Sequence, residues 1–283
     1  MQFLLKEIIY GGHLLALGAG SVVFLSSFLL NAEISWHIIL VSYLLFYPIY
    51  LYDRLTGLKK DYLTNKKRSK HIKKYENFIP SILIISIFLL FFLIAFFSNL
   101  KTLFLSFSLL VLGILYNVYF KQLTKKILFF KNFYVASFFS VMSFIPLFYY
   151  DFEFEIFLFP LVFLFVFVFL KSFFIQSFFD LKDVKIDQKS GLLTLPSVLG
   201  FKRTVYFLAF FSGIVNLTAV FLVFYKPFLL PVSFAAFILL IPFNFYCLKM
   251  ALEKKYFAYI LAGGEYLIWS FLVIFYKTLI FVF

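Results

Sequence analysis

Long apolar runs alternate with short polar stretches over the whole chain. Most runs approach the roughly 20 residues that an α-helix needs to cross a bilayer. They are too long and too continuously apolar for barrel strands, which alternate in hydrophobicity over about 10 residues. The pattern therefore predicts nine membrane-spanning helices. Their approximate ranges are 10–30, 34–52, 78–98, 101–120, 132–150, 156–178, 204–225, 228–249 and 258–282.

Composition agrees with this pattern. Hydrophobic residues make up 64% of the 283 residues and charged residues 14%, and the mean hydropathy is +1.02. These values lie far outside the range of soluble domains. The sequence predicts an all-α polytopic membrane protein in which residues 1–283 form a single transmembrane domain. The one cysteine, Cys247, excludes an internal disulfide and a multi-cysteine metal site.

Basic residues are distributed unevenly over the predicted loops. Nineteen of the 26 Lys and Arg residues lie at the N-terminus or in loops near 53–77, 121–131 and 180–203. Basic loops usually face the cytoplasm. We therefore expect an integral protein of the cell membrane with the N-terminus and these loops on the cytoplasmic side. The net charge of +13 then reflects topology and contact with membrane lipids, and nucleic acid is not an expected partner.

Five aspartates collect in two of these loops. Asp53 and Asp61 follow the second segment, and Asp180, Asp183 and Asp187 follow the sixth. If the sixth helix continued through the latter three, they would share an arc of about 60 degrees. Clustered carboxylates at a membrane boundary are costly unless they are paired or functional. A magnesium ion bound together with substrate phosphate oxygens would suit them; the alternative is a solvated loop balanced by its lysines.

The sixth-segment motif resembles a known family. Asp180, Asp183 and Asp187 are followed by Gly191, by Thr194-Leu195-Pro196 and by Leu199-Gly200. This pattern is similar to the second aspartate motif of the UbiA superfamily of intramembrane prenyltransferases. The nine segments, the chain length and motifs after helices two and six extend the resemblance to essentially the whole chain.

The first motif departs from the family form. Asp53-Arg54 matches its centre, but Ile49 stands at the leading Asn position and Gly57 at the next expected Asp position. The acid comes instead at Asp61, followed by Asn65 and Arg68. An insertion of four residues, about one helical turn, would return Asp61 to the helix face expected for the family's second Asp.

The resemblance implies a nine-helix bundle around a central cavity and a Mg²⁺-dependent transfer of a polyprenyl group from its diphosphate. The acceptor would be a small molecule or lipid, with an aromatic compound or quinone precursor favoured; the residues do not separate it from a chlorophyll-type, haem-type or glycerol phosphate acceptor. The implied catalytic residues are Asp53, Asp180, Asp183 and Asp187, which with Asp61 would hold the metal. The diphosphate would be bound by Asn65, Arg68, Tyr116, Lys121 and Lys182. Lys131-Asn132 matches the family more weakly and is not included in the predicted site.

Other functions stay open at this point. An isoprenoid-diphosphate cyclase or hydrolase of the same fold, a non-catalytic isoprenoid-binding protein and a transporter are the alternatives. Intramembrane acids also occur in transporters, where they are expected near the bilayer midplane. Two further polar residues are unassigned. His13 lies among small residues of the first segment, and Glu265, in the ninth, would either orient an acceptor or pair with Lys171.

Overall fold

A computed structural model describes the backbone of residues 2–58, 62, 65–153 and 158–282, and the side chains of 4–58, 62, 65–153 and 158–278. These parts of the chain contain helices and turns but no β-strand. The first two helices are α1 (Gln2–Tyr10) and α2 (His13–Leu29), and they meet at an angle of 70°. Gly12 lies at the bend with φ = 96°, a left-handed conformation that glycine adopts without strain.

Twelve further α-helices follow among the residues that the structure describes. They are α3 (Trp36–Thr56), α4 (Lys66–Ile72), α5 (Ile79–Phe97), α6 (Leu100–Val118), α7 (Phe130–Val141), α8 (Ile145–Tyr149), α9 (Leu158–Asp180), α10 (Val184–Lys189), α11 (Leu195–Leu199), α12 (Phe201–Tyr225), α13 (Leu240–Leu252) and α14 (Phe257–Val282).

The prediction of an all-α membrane protein is confirmed. Within the described residues, eight helical stretches are long and apolar enough to cross a membrane, and a ninth results if the bent pair α1–α2 forms one span. Large apolar side chains on α5, among them Ile84, Ile85 and Phe88, are exposed on the bundle surface. Such a face requires lipid as its solvent, because the hydrophobic effect opposes its exposure to water.

Two predicted spans contain a change of helix type next to a proline. The span beginning with α7 passes through a 3₁₀ turn at Met142–Phe144 before α8, whose first turn contains Pro146. The span ending with α13 begins with a 3₁₀ helix at Val232–Leu239, directly after Pro231. Proline lacks the N–H that continues an α-helical ladder, which accounts for changes at these positions.

Helix α2 packs closely against α14. A Cβ added at Gly18 would lie 3.0 Å from the side chain of Tyr266, so glycine permits this approach of the two helices. Ser21 donates a hydrogen bond to the backbone carbonyl of Tyr266 and lies 2.6 Å from Ser270 Oγ. Small residues and interhelical hydroxyl bonds are the usual means of helix association in lipid, where the hydrophobic effect does not drive helices together.

A fully buried ion pair lies in the membrane-spanning part of the bundle. Lys171 Nζ on α9 lies 2.6 Å from Glu265 Oε1 on α14, and neither side chain is exposed. Asn244 on α13 accepts a hydrogen bond from Lys171 and donates one to Glu265. Trp269 also donates to Glu265, at 3.2 Å. The pairing of Glu265 with Lys171 is therefore the alternative that the structure shows.

His13 belongs to a polar cluster at the α1–α2 bend. Its Nδ1 lies 2.5 Å from the Tyr43 hydroxyl, and its Nε2 lies 3.3 Å from Glu7. Glu7 also accepts a hydrogen bond from Tyr75 and lies 2.6 Å from His71 Nε2. Because the cluster joins the bend to α3 and to the segment after α4, His13 has a packing role in this fold.

Candidate functional site

One cavity of about 310 Å³ lies between the ends of α3, α6 and α9 and the beginnings of α2, α7 and α14. Its apolar part includes Phe46, Ile49, Val135 and Phe138. The charged residues that line it come from both aspartate segments and the loops around them: Asp53, Arg54, Arg68, Lys121, Lys131, Asp180, Lys182, Asp183 and Asp187. The cavity thus joins a charged region to an apolar one.

The three aspartates of the second motif line this cavity, although the helix does not continue through them. Helix α9 ends at Asp180, and α10 begins after Asp183. Backbone hydrogen bonds still connect the three, since Asp183 N donates to the carbonyl of Asp180 and Asp187 N donates to that of Asp183. The condition of one continuous helix, on which the shared arc depended, is not met. The three acids still share the cavity, because the turn keeps a helix-like hydrogen-bond spacing.

Asp180 is the most deeply buried of these acids, with 1% of its surface exposed. Lys131 Nζ lies 2.5 Å from its Oδ1. Asn132 Nδ2 donates to its Oδ2 at 2.9 Å. Both carboxylate oxygens therefore have a donor from the first turn of α7, as a buried charge requires.

Burial shifts the pKa of three other groups in the second motif. It raises the pKa of the Asp183 carboxyl, and it raises that of Asp187 to about 6, with the Asp180 and Asp183 carboxylates adding to the effect. Burial lowers the pKa of Lys182 to about 8. Lys182 Nζ lies between the rings of Phe179 and Tyr259, at 5.7 and 5.6 Å from their centroids. Perturbed pKa values of this kind cluster at functional sites.

Asp53, in the first motif, lies at the end of α3 and faces the same cavity. Lys121 Nζ donates a hydrogen bond to its Oδ1 at 3.0 Å, and Arg54 Nη1 lies 3.9 Å from its Oδ2. Asp61 lies outside the described residues, so its assignment as a metal ligand stays a prediction.

The five residues predicted to bind diphosphate all line the cavity. Arg68, Lys121 and Lys182 carry positive charge into it, and Tyr116 stacks on Tyr134 with ring centroids 4.8 Å apart. Asn65 has a structural task as well. Its Oδ1 accepts the backbone N–H of Arg68, which caps α4, and its Nδ2 donates to the Tyr256 hydroxyl.

Several polar residues of the cavity were not part of the predicted site. Arg54 and Lys131 line it, as do Asn117 on α6 and Gln176 on α9. Asn132 completes the contacts of Asp180 from beside the cavity. The weak match of Lys131-Asn132 to the family was the sequence feature that could have placed these two residues in the site. Gln176 lies four residues before Asp180, one helical turn away, and this spacing could have indicated its position.

The donor set of the cavity fits magnesium. Four described carboxylates offer hard oxygen ligands on its walls. Within the described residues, no three His, Cys, Asp or Glu side chains form a ready-made metal site. This also agrees with magnesium, which usually binds through one or two carboxylates and completes its coordination with waters and substrate phosphate oxygens.

Comparison with known proteins agrees with the fold. The sequence profile of the UbiA prenyltransferase family matches residues 81–271, a range that begins beyond the divergent first aspartate segment. No curated protein matches the chain significantly in sequence.

Two solved structures are similar to this one. A digeranylgeranylglyceryl phosphate synthase aligns with a TM-score of 0.56 at 16% identity, over 98% of this chain and 97% of that one. The apo structure of a UbiA homologue from Aeropyrum pernix K1 aligns with a TM-score of 0.69 at 14% identity, over 92% and 96%. Since the family profile covers well over half of its residues, the chain belongs to the UbiA prenyltransferase family.

Proposed function

We propose that this protein is a Mg²⁺-dependent intramembrane prenyltransferase that moves a polyprenyl group from its diphosphate to a lipophilic acceptor. The observation that carries the proposal is the cavity itself. Among the described residues, five basic and four acidic side chains line one cavity that also has an apolar wall. An amphipathic donor with a diphosphate head and a hydrocarbon chain matches this division.

The aspartates of the two motifs are the residues that would hold magnesium. When bound, the ion would supply Lewis-acid stabilisation of the diphosphate as it leaves. The basic side chains of the cavity also stabilise the negative charge of the leaving diphosphate. Arg68, Lys121 and Lys182 can donate charge-assisted hydrogen bonds to diphosphate oxygens, which lowers the barrier to breaking the allylic C–O bond because negative charge develops there.

The apolar wall has a separate task. Phe46, Phe138 and the stacked Tyr116–Tyr134 pair place aromatic surface beside the charged region. Aromatic faces attract a developing carbocation, and an apolar wall keeps water away from it. Water would otherwise compete with the acceptor and convert transfer into hydrolysis.

The same surface favours a flat acceptor. An aromatic compound or quinone precursor can stack against Tyr134 and Phe138, both of which line the cavity. The structurally similar digeranylgeranylglyceryl phosphate synthase makes a polar glycerol phosphate acceptor the second class to test.

The test is diphosphate release by the purified protein in detergent. Farnesyl and geranylgeranyl diphosphate serve as donors, with Mg²⁺ or a chelator, across a panel of aromatic and glycerol phosphate acceptors. The proposal expects release that needs both Mg²⁺ and an acceptor, with prenylated product identified by mass spectrometry. Mg²⁺-dependent release without any acceptor would instead identify a cyclase or hydrolase, and no release with either donor would support a binding or transport function.

A pair of matched variants connects activity to the cavity. We expect Asp183→Asn to abolish turnover, because the amide removes one negative charge from the metal-binding wall at nearly constant volume. Asp151→Asn is the control, since Asp151 is exposed and pairs with Lys101 away from the cavity. Full activity of Asp183→Asn would contradict the proposed dependence on a metal ion.

A further inference from the structure

Gln176 carries a buried amide that lacks a hydrogen-bond partner. The side chain lies on α9, lines the cavity and is 6% exposed. Within the described part of the chain, its Nε2 is buried and makes no hydrogen bond. The Tyr266 hydroxyl lies beside the amide but donates its own proton to Ser172 Oγ at 2.8 Å. Because an unsatisfied buried N–H is costly, this donor indicates a ligand that brings an oxygen.

The amide lies deeper in the bundle than the aspartates. Gln176 precedes Asp180, the last residue of α9, by four residues, which is about 6 Å along a helix. On α3, Tyr50 occupies the matching position three residues before Asp53, and it also lines the cavity. The cavity therefore has uncharged polar groups about one helical turn below the level of its carboxylates.

The basic side chains lie at the level of the aspartates or further out. Lys131 Nζ contacts Asp180, and Lys121 Nζ contacts Asp53. The other three in the described lining follow those aspartates along the chain or come from α4: Arg54, Lys182 and Arg68. A charged oxygen buried at the depth of Gln176 would therefore lack a counter-charge from this lining. We expect the oxygen that Gln176 binds to be neutral.

A prenyl diphosphate does not supply this oxygen. Its oxygens match the basic and acidic side chains further out, and the rest of the molecule is hydrocarbon. The second substrate of a transferase, the acceptor, is then the ligand that meets Gln176.

Aromatic surface lies beside the amide. Phe133 on α7 and Phe173, about one turn before Gln176 on α9, pack with ring centroids 5.0 Å apart. Tyr134 and Phe138 follow on α7, line the cavity and stack with centroids 5.1 Å apart. A flat ring that stacks on this surface can present an oxygen to Nε2.

We propose that Gln176 binds the acceptor substrate, with Nε2 donating a hydrogen bond to an uncharged oxygen on an aromatic ring. The substrate class is then a phenol or quinol bound through that oxygen, rather than a carboxylate or phosphate bound through its charge. The contact fixes the orientation of the ring, which an apolar wall alone does not do. The inference rests on the proposed function, because it assumes that a prenyl diphosphate occupies the charged part of the cavity.

The test measures the binding of four probes to the full-length protein in detergent, saturated with Mg²⁺ and geranylgeranyl thiolodiphosphate. Calorimetry compares naphthol, methoxynaphthalene, methylnaphthalene and naphthoate, all substituted at the same ring position, with empty micelles as the blank. The first two present an uncharged oxygen, the third has none, and the fourth presents a carboxylate. Naphthol and methoxynaphthalene should bind about five- to tenfold more tightly than methylnaphthalene. Equal affinities for these three, or tightest binding of naphthoate, would overturn the proposal.

A variant of Gln176 supplies the second arm. Gln176→Met removes the amide at nearly the same side-chain length. It should lower the affinities for naphthol and methoxynaphthalene about five- to tenfold and leave that for methylnaphthalene unchanged, because only the oxygen-bearing probes use Nε2. Gln122→Met is the matched control, since Gln122 is exposed and is not part of the cavity lining. An equal loss for all three probes in Gln176→Met would show a packing role and refute the assignment.

The donor analogue separates this inference from the proposed function. If the wild-type protein fails to bind the thiolodiphosphate in the presence of Mg²⁺, the proposed function is wrong. If it binds this analogue but does not distinguish the four probes, the prenyltransferase proposal stands and the assignment of Gln176 is wrong. The comparison of probes in the wild-type protein decides the matter even if Gln176→Met fails to fold.

Discussion

Removal of the Glu265 carboxylate should destabilise the bundle strongly. Glu265→Ala takes away the 2.6 Å ion pair with Lys171 and the hydrogen bonds from Asn244 and Trp269. It leaves the Lys171 ammonium fully buried without its counter-charge. Breaking a buried pair from one side costs about 3–5 kcal/mol, because the remaining charge cannot be solvated.

The size of the loss distinguishes two explanations. Interhelical hydrogen bonds in membrane proteins contribute about 0.6 kcal/mol on average and at most about 1.7 kcal/mol each. The bond from Asn244 is of this kind, whereas the bond from Trp269 lies within α14. Even at the upper value for each, the two lost bonds account for about 3.4 kcal/mol. A loss of about 4 kcal/mol or more requires the uncompensated charge of Lys171 as its cause.

The measurement is reversible unfolding in mixed micelles of increasing SDS fraction, followed by far-ultraviolet circular dichroism. The double variant Lys171→Met/Glu265→Leu removes both charges and should be clearly more stable than Glu265→Ala, since no buried charge is left without a partner. It should remain below the wild-type protein, because Asn244 Nδ2 and Trp269 Nε1 lose the acceptor that Glu265 provides. The reasoning is refuted if the double variant is as unstable as Glu265→Ala.

A control within the same protein tests the role of burial. Glu253 pairs with Lys255 at 2.7 Å, but both side chains are exposed. Glu253→Ala should leave the unfolding transition unchanged, because exposed pairs are solvated when broken. Since Glu265 does not line the cavity, folded Glu265→Ala protein should also retain its affinity for a prenyl thiolodiphosphate, a diphosphate analogue that leaves slowly. A selective loss of that affinity would favour a role in ligand binding instead.

Three further predictions concern packing and charge in the same molecule. Gly18→Ala should lower the free energy of unfolding in the SDS assay by about 1–3 kcal/mol, because its Cβ would lie 3.0 Å from Tyr266. Gly213→Ala is the control and should cause no loss, because there is open space around Gly213. Equal stabilities of the two variants would contradict the close packing at Gly18. Mn²⁺ accepts the same hard oxygen ligands as Mg²⁺ and can be used to measure metal affinity. This affinity should fall about tenfold between pH 7 and pH 5, because the Asp187 carboxyl, with a pKa raised to about 6, becomes protonated. A constant affinity over this pH range would exclude Asp187 as a ligand. Lys121→Met should lower the affinity for the diphosphate analogue about tenfold or more, as expected for loss of a charged hydrogen-bond donor. An unchanged affinity in calorimetry would show that Lys121 does not bind the diphosphate.

The lengths of the apolar runs were sufficient to predict most of the architecture. Segments such as 78–98 and 34–52 correspond to α5 and α3 within a few residues. Bilayer thickness dictates the length of a span, so this information is local to the chain. The α1–α2 bend was missed, because the left-handed conformation of Gly12 depends on the surrounding helices as well as on the residue itself.

Four of the five aspartates named from the sequence line the cavity, whereas two of the five basic residues in its described lining, Arg54 and Lys131, were not named. Asp53, Asp183 and Lys121 were placed at one end of the bundle by their positions after the apolar segments, and they do line one cavity. Lys131 was left out, because its contact with Asp180 joins positions 49 residues apart. Such contacts follow from how α7 packs against α9, which spacing along the chain does not reveal.

The amino-acid sequence is enough to predict a bundle of membrane-spanning helices and to place the two aspartate segments at helix ends. These properties follow from hydrophobic length and helical period, which are local. The ion pairs become definite only in the folded bundle, where Lys171 pairs with Glu265 and Lys131 with Asp180. The physical reason is that a buried charge selects its partner by distance across packed helices, and that distance exists only after the bundle has formed.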